Sequence, residues 1–599
     1  MTQHSVRPLL DFIAGSPSCY HVIANTAAEL TAAGYVPLPE GERWTLAPGG
    51  RYFVTRNSSS LIAFRVPERL TGGFMMAAAH SDSPAFKLKE HAELRDNGYV
   101  RLNTEKYGGM LMATWFDRPL SAAGRLFVRE NGVIAEKLVN IDRDLLVIPS
   151  VAIHMNRSAN DGMKYQANVD TVPLFSGEDP DAAILTMAAE AAGVRPEDVL
   201  GQDLFLYCRG RGTVVGAHGE YILSPKLDDL ACVWGCLQGF LSAGESGSLP
   251  VLCIFDNEEV GSATKQGAAS TFLRDILRRI SLALGLDEET FQTMLSRSFL
   301  VSADNAHAVH PDHPEYADRG NCPRMNGGVV IKFNANQRYA TDGRSCAVFR
   351  AVCADAGVPV QVMANRSDLP GGSTLGSIAG TLVPVSTVDI GLAQLAMHSC
   401  VETAGEMHHA RLHAGGTFMR AGINRVHTGM GRMRSRRQPA RRRPMGVPAG
   451  TVSRAGMFLA EFVRSVGMID GSAFQVPEVF LAGAGLADDP EGVAGTAAGA
   501  ADEQDGAIGD FVEVLFQLLY GKKRCAGEVT LVEFGGGTHV DDGQFPALRP
   551  DQFQGVFSGK RSGRRQGSGG VRHAGEGKKH GDGEGMEPVA GQGALHGNL

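Results

Sequence analysis

Three short, almost wholly apolar runs in this chain stop abruptly at polar residues able to do chemistry. Residues 73–78 lead to His80, residues 249–255 to Asp256-Asn257-Glu258-Glu259, and residues 299–303 to Asp304-Asn305-Ala306-His307. Apolar runs of strand length without alternation mark strands covered on both faces. Helix-length apolar-periodic stretches at 20–30, 227–241 and 270–284 surround them, and further strands are predicted at 51–55, 60–65 and 328–334. Such alternation predicts an α/β sheet, in which ligands gather at the carboxyl ends of strands.

Residues 91–213 read differently. Short alternating runs at 124–129 and 133–136 predict a β-rich unit, with one helix at 181–191. The simplest architecture is an α/β unit of residues 1–90 and 214–404, interrupted by a β-rich insertion of residues 91–213.

Composition narrows the function classes. With 57 basic and 65 acidic residues the net charge is −8, which argues against a dedicated nucleic-acid binder. The ten cysteines include no C-x-x-C pair, so neither a disulfide framework nor a cysteine-based zinc ribbon is expected. No basic-plus-apolar leader opens the chain and no 18-residue apolar run occurs; a cytoplasmic protein with no membrane span is expected.

Five clusters carry candidate chemistry, each with a plainer alternative. In His80-Ser81-Asp82-Ser83-Pro84, a strand-end histidine is a good metal ligand whose other ring nitrogen Asp82 can orient; the alternative is a surface turn. Asp228 and Asp229 open the 227–241 stretch, where adjacent acids also serve as helix caps. In Asp256-Asn257-Glu258-Glu259, one carboxylate can bind metal while another takes a proton from water; a solvated loop is the alternative. Asp304 and His307 follow a strand at a spacing of three, a weak signal alone. His398 lies in an apolar setting that equally suits a satisfied core histidine. Taken together, the oxygen and nitrogen donors plus a spare glutamate suffice for two divalent ions, zinc foremost, with manganese or cobalt open.

At this point the motifs resemble a known family. Ser16-Pro17, the His80–Pro84 cluster, residues 148–154, Leu227-Asp228, residues 255–262, 304–311, 332–341 and Gly371-Gly372-Ser373-Thr374 stand in the order and spacing of the aspartyl aminopeptidases, co-catalytic two-zinc exopeptidases. The resemblance covers residues 1 to about 404 and implies a mixed sheet flanked by helices with an inserted β-rich dimerisation domain. It implies that His80, Asp228 and Asp304 hold one metal, and Asp228, Glu259 and His398 the other. Glu258 would be the general base and Asp82 would orient His80. His154 would reach a neighbouring subunit's site, and His307, Lys332 and Tyr339 would line the substrate pocket. The implied activity is removal of N-terminal residues from peptides, with preference for Asp or Glu, by a homo-oligomer of dimers assembled into a dodecamer. A surface strand-edge lysine is the alternative for Lys332. Two other functions stay open: a related dinuclear zinc amidohydrolase (deacylase or carboxypeptidase), which the His154 and Lys332 motifs argue against, and an inactive oligomeric scaffold, which the intact ligand set argues against.

The pattern fails near residue 405. Of the 75 glycines, 38 fall within residues 401–599. Residues 432–443 are densely basic, and 511–520 and 529–534 are apolar islands. This Gly/Arg/Ala-rich segment, 405–599, is read first as a frameshifted or wrongly extended reading frame, then as a disordered appendage or a small domain around 450–557. The basic run is read as solvated or out of frame before it is read as a nucleic-acid contact.

Overall fold

The computed structural model describes residues 6–406, so all but the first two residues of the 405–599 segment, with its basic run and apolar islands, lie outside the described residues. The described fold is built on a mixed nine-stranded sheet. Its order is Val36–Pro37, Arg51–Arg56, Ser60–Arg65, Leu249–Phe255, Phe74–His80, Phe299–Ala303, Ser386–Gly391, Val329–Phe333 and Val360–Ala364. The four strands from Leu249–Phe255 to Ser386–Gly391 run parallel, while the flanking pairs with Ser60–Arg65 and Val329–Phe333 are antiparallel.

Side-chain alternation explains why these strands read as continuous apolar runs. Met75, Ala77 and Ala79 enter one core, shared with Leu252 and Ile254; Phe74, Met76 and Ala78 enter the other, with Val251, Cys253 and Phe255. The helix Leu227–Leu241 fills the first core through Leu230, Val233, Leu237 and Phe240. The helix Phe272–Ala283 fills the second through Phe272, Leu273, Ile276, Leu277 and Ile280, the spacing of one helical face. Cys232 and Cys236 lie in the first core.

Several elements escaped the sequence reading, among them the edge strand Val360–Ala364, the helix Glu288–Ser296 and two others. The helix Gly343–Asp355 starts with Asp342 accepting from the Ser345 N–H, and the Ser345 hydroxyl answers the Asp342 N–H. The strand Ser386–Gly391 takes a central place in the sheet.

A second, six-stranded antiparallel sheet runs in the order Val133–Asn140, Leu120–Glu130, Val199–Cys208, Ala85–Asp96, Tyr99–Tyr107, Leu174–Gly177. It has its own core around Phe86, Leu126, Leu204 and Leu206, covered by the helix Ile184–Ala192. Only Ser81–Pro84 separates it from the strand that ends at His80. Its edge strand leaves Val133 63% and Ile134 69% exposed.

A small third sheet joins Thr213–Val215, Tyr221–Ser224, Glu402–Gly405, Ala393–Leu395 and Ala306–His307. It gathers chain from both sides of the site. Among the described residues, no helix is long and apolar enough to cross a membrane.

Candidate metal centre

Three of the four parallel strands of the main sheet deliver a part of the site at their carboxyl ends. His80 is the last residue of Phe74–His80; Asp256 to Glu259 follow Leu249–Phe255, and Asp304 follows Phe299–Ala303. Asp228 arrives from the entry to the helix Leu227–Leu241. The Asp228–Asp229 peptide is cis, neither residue has helical dihedrals, and the two are 3% and 0% exposed. That burial removes the reading of these acids as ordinary helix caps, and the burial of His80 at 1% removes its surface-turn reading.

The donors converge in overlapping sets. One ligand atom from each of His80, Asp228 and Asp304 lies within 4.8 Å of the others, as do those of Asp228, Glu259 and His398; His80, Glu258 and Glu259 form a third such set. His80 Nε2 is 3.6 Å from Asp228 Oδ1, and His398 Nε2 is 3.5 Å from Asp228 Oδ2 and 3.3 Å from Glu259 Oε2. Asp228 thus presents one oxygen to each histidine. Asp228 Oδ1, Asp229 Oδ1 and Glu259 Oε1 are buried without a hydrogen-bond partner. Buried carboxylate oxygens left in this way suit a cation, and a set of histidine and carboxylate donors without sulfur suits zinc, manganese or cobalt.

The electrostatics of the bare donor set point the same way. Burial raises the Glu258 carboxyl to about 8, with Asp304 adding to it and His80 opposing. Burial and then Asp228 raise Glu259. Burial works against charge on Asp228 as well, but His398 and His80 hold it below the ordinary carboxylate range. For His80, burial is outweighed by Asp229, Asp228 and Asp82, and the imidazole pKa rises. So many acids in one buried place repel each other until positive charge is added.

An outer layer fixes the histidines. Asp82, 3% exposed, flanks His80 Nδ1 with its main-chain carbonyl, hydrogen-bonded at 3.1 Å, and with its Oδ1 at 3.4 Å. Asp82 also accepts from the Glu258 and Glu259 backbone N–H groups at 3.2 Å each, and from the Tyr107 hydroxyl at 2.6 Å. The Tyr107 oxygen accepts in turn from Asn257 Nδ2 at 2.9 Å. Two residues on, the Gly109 carbonyl meets His398 Nδ1. Between them Gly108, at φ +75°, would bring an added Cβ within 3.1 Å of Glu259 Cβ, so this close approach needs glycine. The segment Tyr107-Gly108-Gly109, which ends a strand of the six-stranded sheet, therefore touches the supports of both histidines. Lys226, Asn257 and His398 are non-glycine residues held at φ 56°, 62° and 66° beside the donors, each at a cost of about 1 kcal/mol.

The remaining predicted residues divide. Lys332 is 2% exposed on an interior strand, with Nζ 3.2 Å from Asp304 Oδ1 and 5.5 Å from the Tyr339 ring centre. The strand-edge reading is thereby corrected, because Val329–Phe333 is paired on both sides. Burial opposes the Lys332 charge, but Asp304 outweighs it and raises the pKa. Tyr339 is buried at 3% in a small cluster with Val330 and Met363. His307 keeps a solvent-accessible ring at the rim, where desolvation and then the Lys332 ammonium lower its pKa; it opens onto a 340 Å³ pocket shared with Asn365 and Leu395. His154 is exposed in the loop after Ile148 and belongs to none of the converging sets among the described residues. The sequence reading missed Tyr107, Gly109 and Glu402. Only Glu402 carried a local signal, an acid four residues after His398.

Comparison with known proteins now places the chain. The family described as aminopeptidase I zinc metalloprotease (M18) matches residues 12–414, ten residues past the boundary expected at 404. A probable M18 family aminopeptidase 2 of Clostridium acetobutylicum is 45% identical over 412 residues, covering 67% of this chain and 95% of the relative. The structure of the Ape4 and Nbr1 complex contains a chain 34% identical at a TM-score of 0.68, covering 71% of this chain and 86% of that one. The S. cerevisiae mApe1 dodecamer matches at 26% identity and a TM-score of 0.63, covering 71% and 98%. The chain belongs to the M18 family of zinc metalloproteases and is a metallo-aminopeptidase.

Proposed function

We propose that this aminopeptidase works with two divalent ions, zinc foremost and manganese or cobalt as substitutes, and removes N-terminal Asp or Glu from peptides. The observation that carries this reading is the pair of donor sets that share Asp228. His80, Asp228 and Asp304 would hold one ion and Asp228, Glu259 and His398 the other. When bound, such ions lower the pKa of water and polarise the scissile carbonyl.

The chain's own residues do the rest. Glu258, whose backbone is anchored on Asp82 beside the ligand Glu259, takes the proton of the attacking water and passes it to the leaving amine. Asp82 fixes the His80 ring, and the Gly109 carbonyl that of His398. Unshared carboxylate charge near the donors attracts the free α-amine of the substrate, which makes the activity exopeptidic. His307, which borders the 340 Å³ cavity, would line the substrate pocket with Lys332 and Tyr339 buried behind it, and the Lys332 ammonium would favour an acidic side chain.

His154, exposed and far in sequence from the donors, would act on the carbonyl in a neighbouring copy's site. This needs a homo-oligomer. The division into a catalytic unit of 1–90 and 214–404 and an inserted dimerisation unit of 91–213 supplies one: the exposed Val133 and Ile134 lie on the edge of the six-stranded sheet. A dodecamer of dimers in the cytoplasm completes the reading, and the dodecameric mApe1 is a precedent in a similar fold.

Asp-, Glu- and Leu-anilides test it directly. Metal-dependent release is expected from the first two and little from the third. Equal release from all three would defeat the acidic preference, and a single bound ion per active chain would defeat the two-metal reading.

A further inference from the structure

Glu402 is a carboxylate, 2% exposed, for which no role has been named so far. Its oxygens do not turn towards the donor cluster, and it belongs to none of the converging sets among the described residues. Both accept from backbone instead. Oε2 takes the Asp228 N–H at 2.9 Å, and Oε1 takes the His398 N–H at 2.7 Å. One side chain thus holds the main chain of two donors 170 residues apart in sequence, both in the set completed by Glu259.

The hold extends further. Gln394 Nε2 donates to Glu402 Oε1 at 3.4 Å, and its own Oε1 accepts from Asn305 Nδ2 at 2.8 Å. Asn305 Nδ2 also reaches the Leu227 carbonyl at 2.8 Å. Gln394 and Asn305 are 1% and 2% exposed. The three side chains join the segments that carry Asp228, Asp304 and His398. Burying an acid is unfavourable unless its oxygens are fully used. Here a carboxylate is the group that fits, since two N–H donors need two acceptor oxygens. A glutamine would offer one oxygen and set its amide N–H₂ against the other N–H.

We propose that Glu402 is a positioning residue that fixes the backbone spacing of Asp228 and His398 and so sets the metal affinity of the site they share. The inference rests on the two-metal reading only for the number of ions, because Asp228 belongs to both donor sets. Glu402→Gln is the test, in the full chain, with zinc titrated against a competing chelator. It should remain folded with zinc in excess, at a melting temperature lowered by the one orphaned N–H, lose ~10-fold or more of its affinity for the weaker zinc, and lose kcat with KM little changed. Raising zinc should restore part of kcat. A folded Glu402→Gln protein with wild-type zinc affinity and kcat overturns the proposal. Wild-type stoichiometry separates the two readings: two ions with an unaffected variant defeats the clamp alone. A single ion defeats the two-metal reading, and the clamp then stands or falls on whether the variant weakens that ion. Should Glu402→Gln not fold, Gln394→Met, which removes one donor from Oε1 and keeps the carboxylate, must still weaken zinc in the same sense; unchanged affinity overturns the proposal.

Discussion

Tyr107→Phe is the most informative single-atom change the site allows. It removes one oxygen and no packing volume, and the ring keeps its edge-on contact with Phe205 at 5.7 Å. What it deletes is the 2.6 Å bond to Asp82 and the acceptor of Asn257 Nδ2. Burial, then Asp82 and Asp256, push the Tyr107 phenol far above its ordinary range, so it is a donor at every working pH. A hydrogen bond to a buried carboxylate contributes about 2 kcal/mol, and an orphaned amide donor costs about 1 kcal/mol more. A loss of about 3 kcal/mol is therefore expected in urea unfolding. Because Asp82 orients His80, zinc affinity should also fall ~10-fold. Tyr316→Phe, at a residue 63% exposed, is the control and should stay within about 0.5 kcal/mol of wild type. If Tyr107→Phe matches that control in both stability and zinc affinity, the support attributed to the Asp82–Tyr107 pair is wrong.

Three further outcomes are expected. Glu258→Gln should retain its metal stoichiometry and lose ~100-fold or more in kcat; full activity with metal bound would end its role as base. The metal-stripped chain should become less stable as pH rises from about 5 to about 8. Asp256 is raised to about 7 and Glu258 and Glu402 to about 8, all chiefly by burial. The stability such groups add is present below their unfolded values and lost as pH climbs through the folded ones, by about 1.4 kcal/mol per pH unit for each proton retained. The raised pKa values of His80 and His398 act in the same sense, whereas depressed Asp228 adds its loss only in acid. Zinc, which competes with those protons, should bind more tightly at about pH 8 than at about pH 6; flat urea midpoints and flat affinity would contradict this. Finally, a chain ending after residue 414 should be no less active than the full one, whereas one ending after Val401 should be inactive, because the strand Glu402–Gly405 pairs with both Tyr221–Ser224 and Ala393–Leu395.

His80, Glu258, Glu259 and Asp304 were legible in the sequence because they end or follow strands buried on both faces, and an apolar run interrupted by His80 or Glu258 has few structural excuses. The supports were not. Tyr107 closes an alternating strand of mixed exposure, and nothing local tells its hydroxyl from that of any half-buried tyrosine. Gln394 looks like an ordinary polar residue of a short strand, and Glu402, though an acid four residues after His398, shows nothing of its burial until Asp228 and Asn305 are brought against the pair from far along the chain. Asp228 and Asp229 were ambiguous for a related reason: a sequence shows two acids at a helix entry but not their burial. The central strand Ser386–Gly391 was overlooked because its Asp389 breaks the apolar run; in the fold that carboxylate is paired with Thr374 Oγ1 at 2.8 Å.

The short segment Tyr107-Gly108-Gly109 joins two processes usually thought of separately. It belongs to the six-stranded sheet, yet its contacts end on Asp82, Glu259 and His398. Whatever factor the seated sheet adds to metal affinity, bound metal must return to the seating equilibrium, since coupling free energies are reciprocal. On the two-metal reading, chelation would then also be a mechanical perturbation, loosening the attachment of the sheet. Conversely, a ligand that gripped only the outer strands would register at the histidines without approaching them.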